Sequence, residues 1–298
     1  MINVKIAVGL PAYNEEKNIA SIITKIGKIT NTIIICNDGS SDLTGEIASK
    51  MGSIVINHEK NMGYGAAIRS LFLKAKELDA DILVTFDADG QHNVLDIEKV
   101  IAPILEKKAD LVIGSRFLDD SKDDIPSYRK AGIKIITKLT NTSLKKNITD
   151  SQSGFRGYSK EVLSKITPSD NGMGVSSEIL LKASNNNFRI AEIPIKISYQ
   201  GETSTHHPVS HGISVTLSTL KFISIEHPLK FYGLPGIGFT LFGLFFMIWT
   251  IIIFSETRQI FLSTAILSVG GLIIGTTLMM TSILLYSMVN LVREQSKS

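Results

Sequence analysis

The chain has 298 residues, enough for one large domain with an additional segment or for two modest domains. Hydrophobic residues make up 44% of it and charged residues only 20%, which favours a membrane protein. The net charge of +3 is too small to indicate a nucleic-acid partner, and a single cysteine, Cys36, excludes a disulfide framework and a cysteine-based metal site. The N-terminus lacks the basic stretch and long apolar core of a signal peptide, so we expect the N-terminal domain to lie in the cytoplasm.

The first 200 residues alternate short apolar runs with amphipathic segments, the pattern of an α/β domain. The apolar runs are nearly continuous, as expected of strands that are covered on both faces. Predicted strands span residues 4–10, 32–37, 53–57, 82–86 and 111–114. Predicted helices span residues 15–26, 42–50, 65–78 and 94–107. We expect Cys36 to be buried in the second strand, because free cysteine behaves as a small hydrophobe.

Polar loops follow three of the predicted strands, at residues 11–15, 37–42 and 87–91. Open α/β sheets bind ligands outside the carboxyl ends of their strands, so these loops predict one site at one edge of the sheet. Farther along, the pattern predicts a helix over 175–183 and a strand over 190–199, in which Pro194 marks a sheet edge or a bulge.

The last third of the chain predicts membrane association. Residues 210–227 form an amphipathic pattern that we interpret as a helix lying in the membrane interface, with burial in the protein core as the alternative. Residues 231–254 and 260–291 contain no charged residue, and each is longer than the roughly 20 apolar residues that span a bilayer. The link between them is short, which predicts a transmembrane helical hairpin.

The charges that flank the hairpin predict its orientation. Lys221 and Lys230 precede the first span, and Arg293 and Lys297 follow the second, which places both ends in the cytoplasm of a multi-pass cell-membrane protein. The predicted domains are therefore a cytoplasmic domain over 1–209, the interfacial helix over 210–229 and two transmembrane helices with a short tail over 230–298.

A homo-oligomer through the small residues Gly270, Gly271 and Gly275 stays open. Residues 201–207 are interpreted as a polar loop that closes over the site, and its adjacent histidines as loop residues rather than metal ligands.

The segment Asp87-Ala88-Asp89-Gly90-Gln91 follows a predicted buried strand directly. In an extended segment, alternation would point Asp87, Asp89 and Gln91 to one side. Two carboxylates and an amide oxygen are hard ligands that suit Mg²⁺ or Mn²⁺, which in turn bridges phosphate oxygens. Gly90 allows the backbone to approach a ligand closely. The position after a strand is what raises this short pattern above chance.

Two further loops bear on nucleotide binding. Asp38 precedes Ser41 and Asp42, either of which can cap the next helix, so capping does not need Asp38 and we assign it to a base or a ribose. Residues 61–65 resemble a dinucleotide-binding fragment but lack its third glycine, so we interpret Gly63 and Gly65 as shaping a turn into a helix.

Six motifs stand in order along the chain: Leu10-Pro11-Ala12-Tyr13-Asn14-Glu15-Glu16, Asn37-Asp38-Gly39-Ser40-Ser41-Asp42, Asn61-Met62-Gly63, Asp87-Ala88-Asp89-Gly90-Gln91-His92, Gly114-Ser115-Arg116-Phe117 and Ser153-Gly154-Phe155-Arg156. Together they resemble the family 2 glycosyltransferases and, within them, the dolichyl-phosphate mannose synthase branch. The resemblance covers about residues 4–200 and implies a GT-A fold, a Rossmann-like nucleotide-diphospho-sugar transferase domain. The hairpin resembles the anchors of polyprenyl-phosphate members of the family.

The resemblance also implies roles for individual residues. The nucleotide base and ribose are assigned to Pro11, Tyr13, Glu15 and Asp38. The metal and the diphosphate are assigned to Asp87, Asp89 and Gln91. The phosphate of a lipid acceptor is assigned to Arg116, Arg129 and Arg156, since arginine gives two-pronged phosphate contacts. For Arg156 the alternative is to structure the acceptor loop, the segment around residues 151–156. Asp150, a candidate catalytic residue just before that segment, has the alternative of orienting the loop.

The implied reaction is a metal-dependent, inverting transfer of mannose from GDP-mannose to polyprenyl or dolichyl phosphate at the cytoplasmic face of the membrane. A lipid phosphate is largely a dianion at neutral pH, so a general base such as Asp150 or Glu178 is not obligatory. Transfer of glucose or an N-acetylhexosamine from a UDP-sugar stays open. Processive polysaccharide synthases resemble this chain in the early motifs but carry a Gln-x-x-Arg-Trp segment. That alternative is disfavoured because the only tryptophan, Trp249, lies in the first span. An inactive membrane scaffold is disfavoured because Asp87, Asp89 and Arg116 are intact.

Overall fold

The computed structural model describes residues 4–118, 127–144, 146–196, 224, 228–259 and 261–295, and gives only the backbone for 127–129, 131 and 290–295. The chain forms two compact units, Met1–Thr219 and Leu220–Ser298. Residues 201–207, with the predicted closing loop, lie outside the described residues. The same holds for the predicted interfacial helix over 210–227, apart from Ser224.

The first unit is built on one seven-stranded sheet with the order β3-β2-β1-β4-β6-β5-β7. The strands are β1 (Ile6–Ala12), β2 (Thr32–Asn37), β3 (Ile54–Asn57), β4 (Ile82–Thr85), β5 (Leu111–Ser115), β6 (Arg156–Ser159) and β7 (Ile190–Pro194). Every neighbouring pair is parallel except the two pairs that include β6, which runs antiparallel to both β4 and β5. The carboxyl ends of the six other strands therefore share one edge of the sheet with the N-terminal end of β6.

Helices cover both faces of this sheet. They are α1 (Ile19–Ile26), α2 (Thr44–Lys50), α3 (Tyr64–Glu77), α4 (Asp96–Leu105), α5 (Ser127–Asn141), α6 (Lys160–Lys165) and α7 (Val175–Asn185). Apolar side chains of α1, α2 and α4 pack on one face of the sheet, and those of α3, α6 and α7 pack on the other. Because the strands are covered on both faces, their sequences are apolar throughout rather than alternating.

The predicted elements of the first 115 residues are confirmed, with strand boundaries shifted by at most two residues and helix boundaries by at most four. β7 lies at the edge of the sheet, as Pro194 predicted, but the strand ends at Pro194 instead of running on through residues 195 and 196 toward the predicted end at residue 199. Residues 197–199 lie outside the described residues. Cys36 is buried in β2, and burial followed by the charge of Asp38 raises the pKa of its thiol to about 12. The short strand β6 and the helices α5 and α6 were not predicted.

The second unit contains two long helices. A π-helical turn, Leu229–Gly233, leads into α8 (Leu234–Thr257), and α9 spans Leu262–Gln295. The segments Leu229–Thr257 and Leu262–Val289 are long and apolar enough to cross a bilayer, and little of either is buried within the protein. The chain turns between them at Arg258, which adopts a left-handed conformation with φ of 57°. The predicted pair of apolar helices is confirmed.

Glycine residues let α8 and α9 pack closely. A Cβ atom on Gly243 would lie 2.6 Å from the backbone nitrogen of Leu272, and one on Gly271 would lie 2.8 Å from the Cα of Gly243. A Cβ atom on Gly275 would lie 2.5 Å from the backbone nitrogen of Thr240, whereas one on Gly270 meets nothing within 4 Å. Two glycines of the predicted small-residue face, Gly271 and Gly275, thus pack within one hairpin, and the homo-oligomer itself stays a prediction.

Candidate active site

The loops after β1 and β2 are held to each other by reciprocal hydrogen bonds. Asn14 has a positive φ of 56°, which asparagine tolerates better than most residues. Its Oδ1 accepts from the backbone nitrogen of Ser41 at 2.9 Å, and its own backbone nitrogen donates to Ser40 Oγ at 3.0 Å. The backbone nitrogen of Glu15 donates to Thr44 Oγ1 at 2.8 Å. These bonds fix the loop that carries Tyr13, which is exposed, and Glu15, which is partly buried.

Asp38, at the carboxyl end of β2, is buried and accepts three hydrogen bonds from the protein. His58 Nδ1 lies 2.6 Å from Asp38 Oδ1, and the backbone nitrogens of Met62 and Gly63 donate to the carboxylate at 2.9 Å each. On the far side of the imidazole ring, Nε2 lies 2.8 Å from Ser70 Oγ. Asp38 therefore anchors the loop that leads into α3, a role that its sequence position did not indicate.

Gly63 and Gly65 shape the start of α3, as predicted. Gly63 has a positive φ of 97°, which favours glycine. A side chain at either position would collide with backbone carbonyl oxygens of residues 170–172. The backbone nitrogen of Gly65 donates to the Asn171 carbonyl oxygen at 2.9 Å. The loop before α7 is thus packed against the start of α3.

Asp87 follows β4 and is partly exposed at the edge of the sheet. Tyr64 donates a hydrogen bond to Asp87 Oδ1 at 3.3 Å, and His92 Nε2 lies 3.5 Å from Asp87 Oδ2. Burial alone would raise the pKa of Asp87, but His92 and Tyr64 hold it below the usual value. Burial and the neighbouring carboxylate raise the pKa of Tyr64 well above 10. Asp87 is therefore ionised and Tyr64 neutral at physiological pH. Sequence reasoning had not singled out Tyr64 for this site.

The alternation predicted for residues 87–91 is wrong. Residues 88–90 form a turn in which Gly90 has a φ of 76°, and the backbone nitrogen of Gln91 donates to Asp89 Oδ1 at 3.0 Å. Strand geometry ends at Thr85, so the argument that Gln91 faces the same side as Asp87 fails. Gln91 as a metal ligand stays a prediction without that support.

Several carboxylates converge where these loops meet. Burial raises the pKa of Glu15, and the negative charges of Asp89, Asp42 and Asp87 raise it further. Among the residues that the structure describes, no three His, Cys, Asp or Glu side chains form a metal site by themselves. Mg²⁺ is commonly held by one or two protein carboxylates together with substrate phosphates, and Asp87 and Asp89 fit that pattern. A divalent cation held there would also reduce the repulsion between Glu15 and these carboxylates.

The segment before β6, residues 151–155, lies beside this acidic part of the site at Gly154. Its carbonyl oxygen accepts a hydrogen bond from Thr85 Oγ1 at 2.6 Å. A Cβ atom at Gly154 would lie 2.8 Å from each carboxylate oxygen of Asp87 and would collide with the Tyr64 hydroxyl. Only glycine lets this segment pass so close to the Asp87 carboxylate.

Arg116 and Asp150 form a two-pronged ion pair beside that segment. Arg116 Nε and one terminal nitrogen donate to the Asp150 carboxylate at 2.6 and 2.8 Å. Asp150 is fully buried, which alone would raise its pKa, but the Arg116 guanidinium holds that pKa below the usual value. Glu192 on β7 accepts hydrogen bonds from the backbone nitrogens of Thr149 and Asp150 at 2.9 and 3.1 Å. The alternative expected for Asp150, orienting the acceptor loop, matches these contacts.

Arg156 does not lie where a ligand phosphate could reach it. It is only 1% exposed, and its guanidinium donates to the carbonyl oxygens of Ser151, Ser153 and Ser176 at 2.7, 2.8 and 2.8 Å. We therefore correct its assignment to the lipid phosphate in favour of the alternative, a residue that structures the acceptor loop. Arg129 lies in α5, and its side chain is outside the described residues.

Glu178 is saturated by contacts within the protein. Its carboxylate accepts from the backbone nitrogens of Ser169 and Asp170 at 2.8 Å each, and Lys182 Nζ lies 2.6 Å away. Burial alone would raise the pKa of Glu178, but Lys182 and these donors keep it lowered. This arrangement orders the loop before α7.

The sheet order, the antiparallel β6 and the ligand loops at the carboxyl edge define a GT-A fold, the class of nucleotide-diphospho-sugar transferases. The chain belongs to glycosyl transferase family 2, whose family model matches residues 7–167. The predicted family, fold and enzyme class are thereby confirmed. The alternative of an inactive scaffold is set aside.

Two relatives agree with the family, and a solved structure agrees with the fold. The chain is 35% identical over 229 residues to the UDP-N-acetylglucosamine–dolichyl-phosphate N-acetylglucosaminyltransferase of Methanococcus voltae, covering 70% of this chain and 89% of that relative. It is 30% identical over 227 residues to the dolichyl-phosphate hexose transferase of Haloferax volcanii, covering 76% and 96%. Glucosyl-3-phosphoglycerate synthase of Mycobacterium tuberculosis, solved with Mn²⁺, UDP and phosphoglyceric acid, shares the fold with a TM-score of 0.57 at 20% identity, over 74% and 78% of the two chains.

Proposed function

We propose that this protein transfers a sugar from a nucleoside diphosphate sugar to dolichyl phosphate or a related polyprenyl phosphate. One observation carries the proposal: the segment before β6 contacts the carboxylate of Asp87 and leads directly from the Arg116–Asp150 pair. Acidic groups suited to a metal-bound diphosphate and a guanidinium suited to an acceptor phosphate therefore share one edge of the sheet. The names of the two archaeal relatives support the lipid phosphate as acceptor.

On the donor side, the exposed Tyr13 offers an aromatic face to the nucleotide base, with Pro11 and Glu15 beside it. Asp38 would act on the base or ribose while it anchors residues 62–63. Asp87 and Asp89 would hold Mg²⁺ or Mn²⁺. When bound, such an ion supplies Lewis-acid stabilisation of the charge on the departing nucleoside diphosphate.

On the acceptor side, the pair with Asp150 orients Arg116 toward the phosphate of the lipid. The nucleophile is a phosphate oxygen that is already ionised at neutral pH, so these residues position it rather than deprotonate it. Displacement by this oxygen at the anomeric carbon breaks the bond to the nucleoside diphosphate and inverts the configuration. Arg129 is a second candidate for the same phosphate.

The donor sugar has two candidates. The motif resemblance favours mannose from GDP-mannose, whereas the name of the Methanococcus voltae relative favours N-acetylglucosamine from its UDP-sugar. That relative is 35% identical to this chain, which makes the UDP-sugar the first donor to test. We further propose that α8 and α9 span the cell membrane with the catalytic domain on the cytoplasmic side, as the flanking lysine and arginine residues indicate.

Membranes that contain the full chain, incubated with one radiolabelled nucleotide sugar at a time and polyprenyl phosphate, test the proposal. We expect a labelled product that extracts into organic solvent with one donor and disappears when EDTA is added. Membranes without the protein are the control. Absence of lipid-linked product with every GDP- and UDP-sugar, in a sample whose protein is folded, would overturn the proposal.

Asp89→Ala tests the donor side of the site. We expect at least a hundredfold loss of transfer, because removing one preorganised charged contact of a transition state commonly costs that much. Asp79→Ala, which removes an exposed carboxylate paired with Lys160, should retain activity. Near-normal turnover of Asp89→Ala at low metal concentration would show that the metal site is elsewhere.

A further inference from the structure

The segment of residues 127–149 carries the whole positive surplus of the chain. It contains six basic residues and no acidic one: Arg129, Lys130, Lys134, Lys138, Lys145 and Lys146. The full chain has 31 basic and 28 acidic residues, and 31 less these six leaves 25 basic against 28 acidic. One helix and the loop after it therefore turn an otherwise acidic protein into a basic one.

Helix α5 displays three of these lysines as a stripe. Lys130, Lys134 and Lys138 follow one another at intervals of four residues, which places them along one side of the helix, and all three are exposed. The opposite side, with Ile133 and Ile136, is buried. Among the described residues, none of the three lysines forms an ion pair with an acidic side chain. The ammonium group of Lys130 lies 5.9 Å from the centre of the Phe117 ring, and all three lysine side chains are accessible from solvent.

An apolar side chain accompanies the stripe. Ile135 is 59% exposed on the solvent side of α5, next to Lys134. An open cavity of about 440 Å³ lies along the same helix, lined by Lys134, Lys138, Asn141 and Thr142 among others. Ammonium, amide and hydroxyl groups are all donors to phosphate oxygens. We call Lys130, Lys134, Ile135 and Lys138 the lysine face.

We propose that the lysine face docks on anionic phospholipid headgroups of the bilayer that holds α8 and α9. Each lysine near an anionic membrane surface contributes favourable electrostatic energy, and exposed isoleucine adds apolar contact with the interface. The hairpin belongs to the same chain, so it keeps a lipid surface at high effective concentration around the domain. The inference rests on insertion of the hairpin and is independent of which sugar is transferred.

The test uses the full chain in nanodiscs of phosphatidylcholine alone or with phosphatidylglycerol. The variant Ile135→Cys carries an environment-sensitive maleimide dye; Cys36 is buried with a raised thiol pKa and will not react. We expect a blue-shifted emission, quenched by lipid-borne quenchers, only in the anionic nanodiscs and weakened by added salt. Adding Lys134→Glu and Lys138→Glu should lower the docked-to-undocked ratio at least roughly fivefold per lysine.

A matched control makes the same change of charge on another helix. Lys25→Glu and Lys28→Glu alter two exposed lysines in and after α1 and should leave the dye signal unchanged. Equal loss of signal in this control, or a signal that does not depend on anionic lipid, would overturn the docking.

The acceptor phosphate is the competing occupant of the lysine face. Transfer to a short-chain polyprenyl phosphate in neutral detergent, where no anionic bilayer exists, distinguishes the acceptor phosphate from phospholipid headgroups as the occupant. We expect Lys134→Glu with Lys138→Glu to retain wild-type turnover there. Loss of turnover in detergent would assign the lysines to the acceptor and reject membrane docking. Failure of the dye signal with intact turnover would reject docking while leaving the transferase function in place.

Discussion

His58 and Asp38 form a buried pair that links three segments of the chain. Asp38 lies at the end of β2, His58 directly follows β3, and Ser70, the second partner of the imidazole, lies in α3. The carboxylate also accepts from two backbone nitrogens before α3. The pair thus ties the nucleotide side of the site to the helix beneath it. His58 is a positioning residue, because it acts through Asp38.

His58→Ala removes one partner of a buried carboxylate. We expect a loss of stability of about 1–3 kcal/mol, because an unsatisfied buried group bears a desolvation penalty. Thermal unfolding of the full chain in detergent measures this loss of stability. Donor affinity, measured separately, should weaken, while the KM for the acceptor should not change. Ser70→Ala removes only the second hydrogen bond of the imidazole and should have a smaller effect. An equal loss for both variants would contradict the role assigned to Asp38.

The Arg116–Asp150 pair makes stability depend on pH. The folded-state pKa of Asp150 is lowered below its unfolded value of about 3.9, so the stabilisation is present above that pH and lost as pH falls through the folded pKa. We expect Asp150→Asn to be several kcal/mol less stable than the wild type at neutral pH, because the mostly buried Arg116 loses its two-pronged contact with a charged carboxylate. Thermal unfolding at a series of pH values should show the gap narrowing below about pH 4.

The exposed pair of Lys160 and Asp79 is the control for that measurement. Its carboxylate lies on the surface, where solvent screens the charge, so Asp79→Asn should leave the unfolding temperature close to that of the wild type at every pH. A constant gap between Asp150→Asn and the wild type from pH 7 to pH 3 would show that the charge of Asp150 is not what stabilises the fold.

Residue types and spacing predicted which segments carry the residues of the site, but not which partner each of these residues has. Asp87 was predicted because it follows a strand at the ligand edge of the sheet, whereas Arg116 was assigned through the family resemblance. The buried state of Arg156 was not predictable, because its three acceptors are backbone carbonyls that become available only when residues 151–153 and the start of α7 come together. The role of Asp38 depends on His58, 20 residues farther along the chain.

At the scale of elements, the segment before β6 joins the two halves of the site. Gly154 is the position where this segment lies against Asp87, and Thr85 holds it there through a hydrogen bond of 2.6 Å. The atoms that a Cβ would meet are the ends of two side chains, Asp87 and Tyr64, so the fold can adjust but the site cannot keep its geometry.

Gly154→Ala should therefore separate folding from function. We expect unfolding within a few degrees of the wild type but a loss of transfer of at least about tenfold, since small displacements of positioned groups are costly to catalysis. Binding of Mn²⁺ in the presence of donor, followed by electron paramagnetic resonance, should weaken in parallel. Gly132→Ala, where a Cβ meets nothing within 4 Å, is the matched control. Unchanged Mn²⁺ binding in Gly154→Ala would argue against Asp87 as a ligand.

Elements with a long apolar run were predictable, and those without one were not. β1 and β2 are buried on both faces, so hydrophobicity alone marks them. β6 has only four residues, Arg-Gly-Tyr-Ser, and no apolar run; it is a strand because β4 and β5 offer it hydrogen bonds on both sides. Tertiary pairing of this kind overrides local propensity.

At the scale of the whole molecule, the second unit is held together by close helix packing. Helices in lipid associate through small residues and van der Waals contact, because lipid removes the usual hydrophobic driving force. Gly243 and Gly271 meet backbone to backbone, which explains why two long apolar helices with a short link form a hairpin.

Gly243→Leu should disrupt that hairpin. A side chain at this position meets the Leu272 backbone nitrogen at 2.6 Å, and backbone cannot move aside cheaply. We expect reduced cross-linking between cysteines introduced on α8 and α9 and a lower unfolding temperature in detergent. Gly270→Leu, one residue from the contact and facing open space, should behave like the wild type. Equal cross-linking in both variants would contradict the packing.

The antiparallel strand β6 has a consequence for what this fold can accept as a substrate. It lies between β4, which precedes Asp87, and β5, which ends just before Arg116, so those two strands are two inter-strand spacings apart, about 10 Å. Sheet geometry sets this interval, and no side-chain substitution can alter it. Loops can lengthen or shorten to suit a different sugar or a longer lipid. Changing the spacing between the strands that lead to the acidic and cationic halves would require a different sheet.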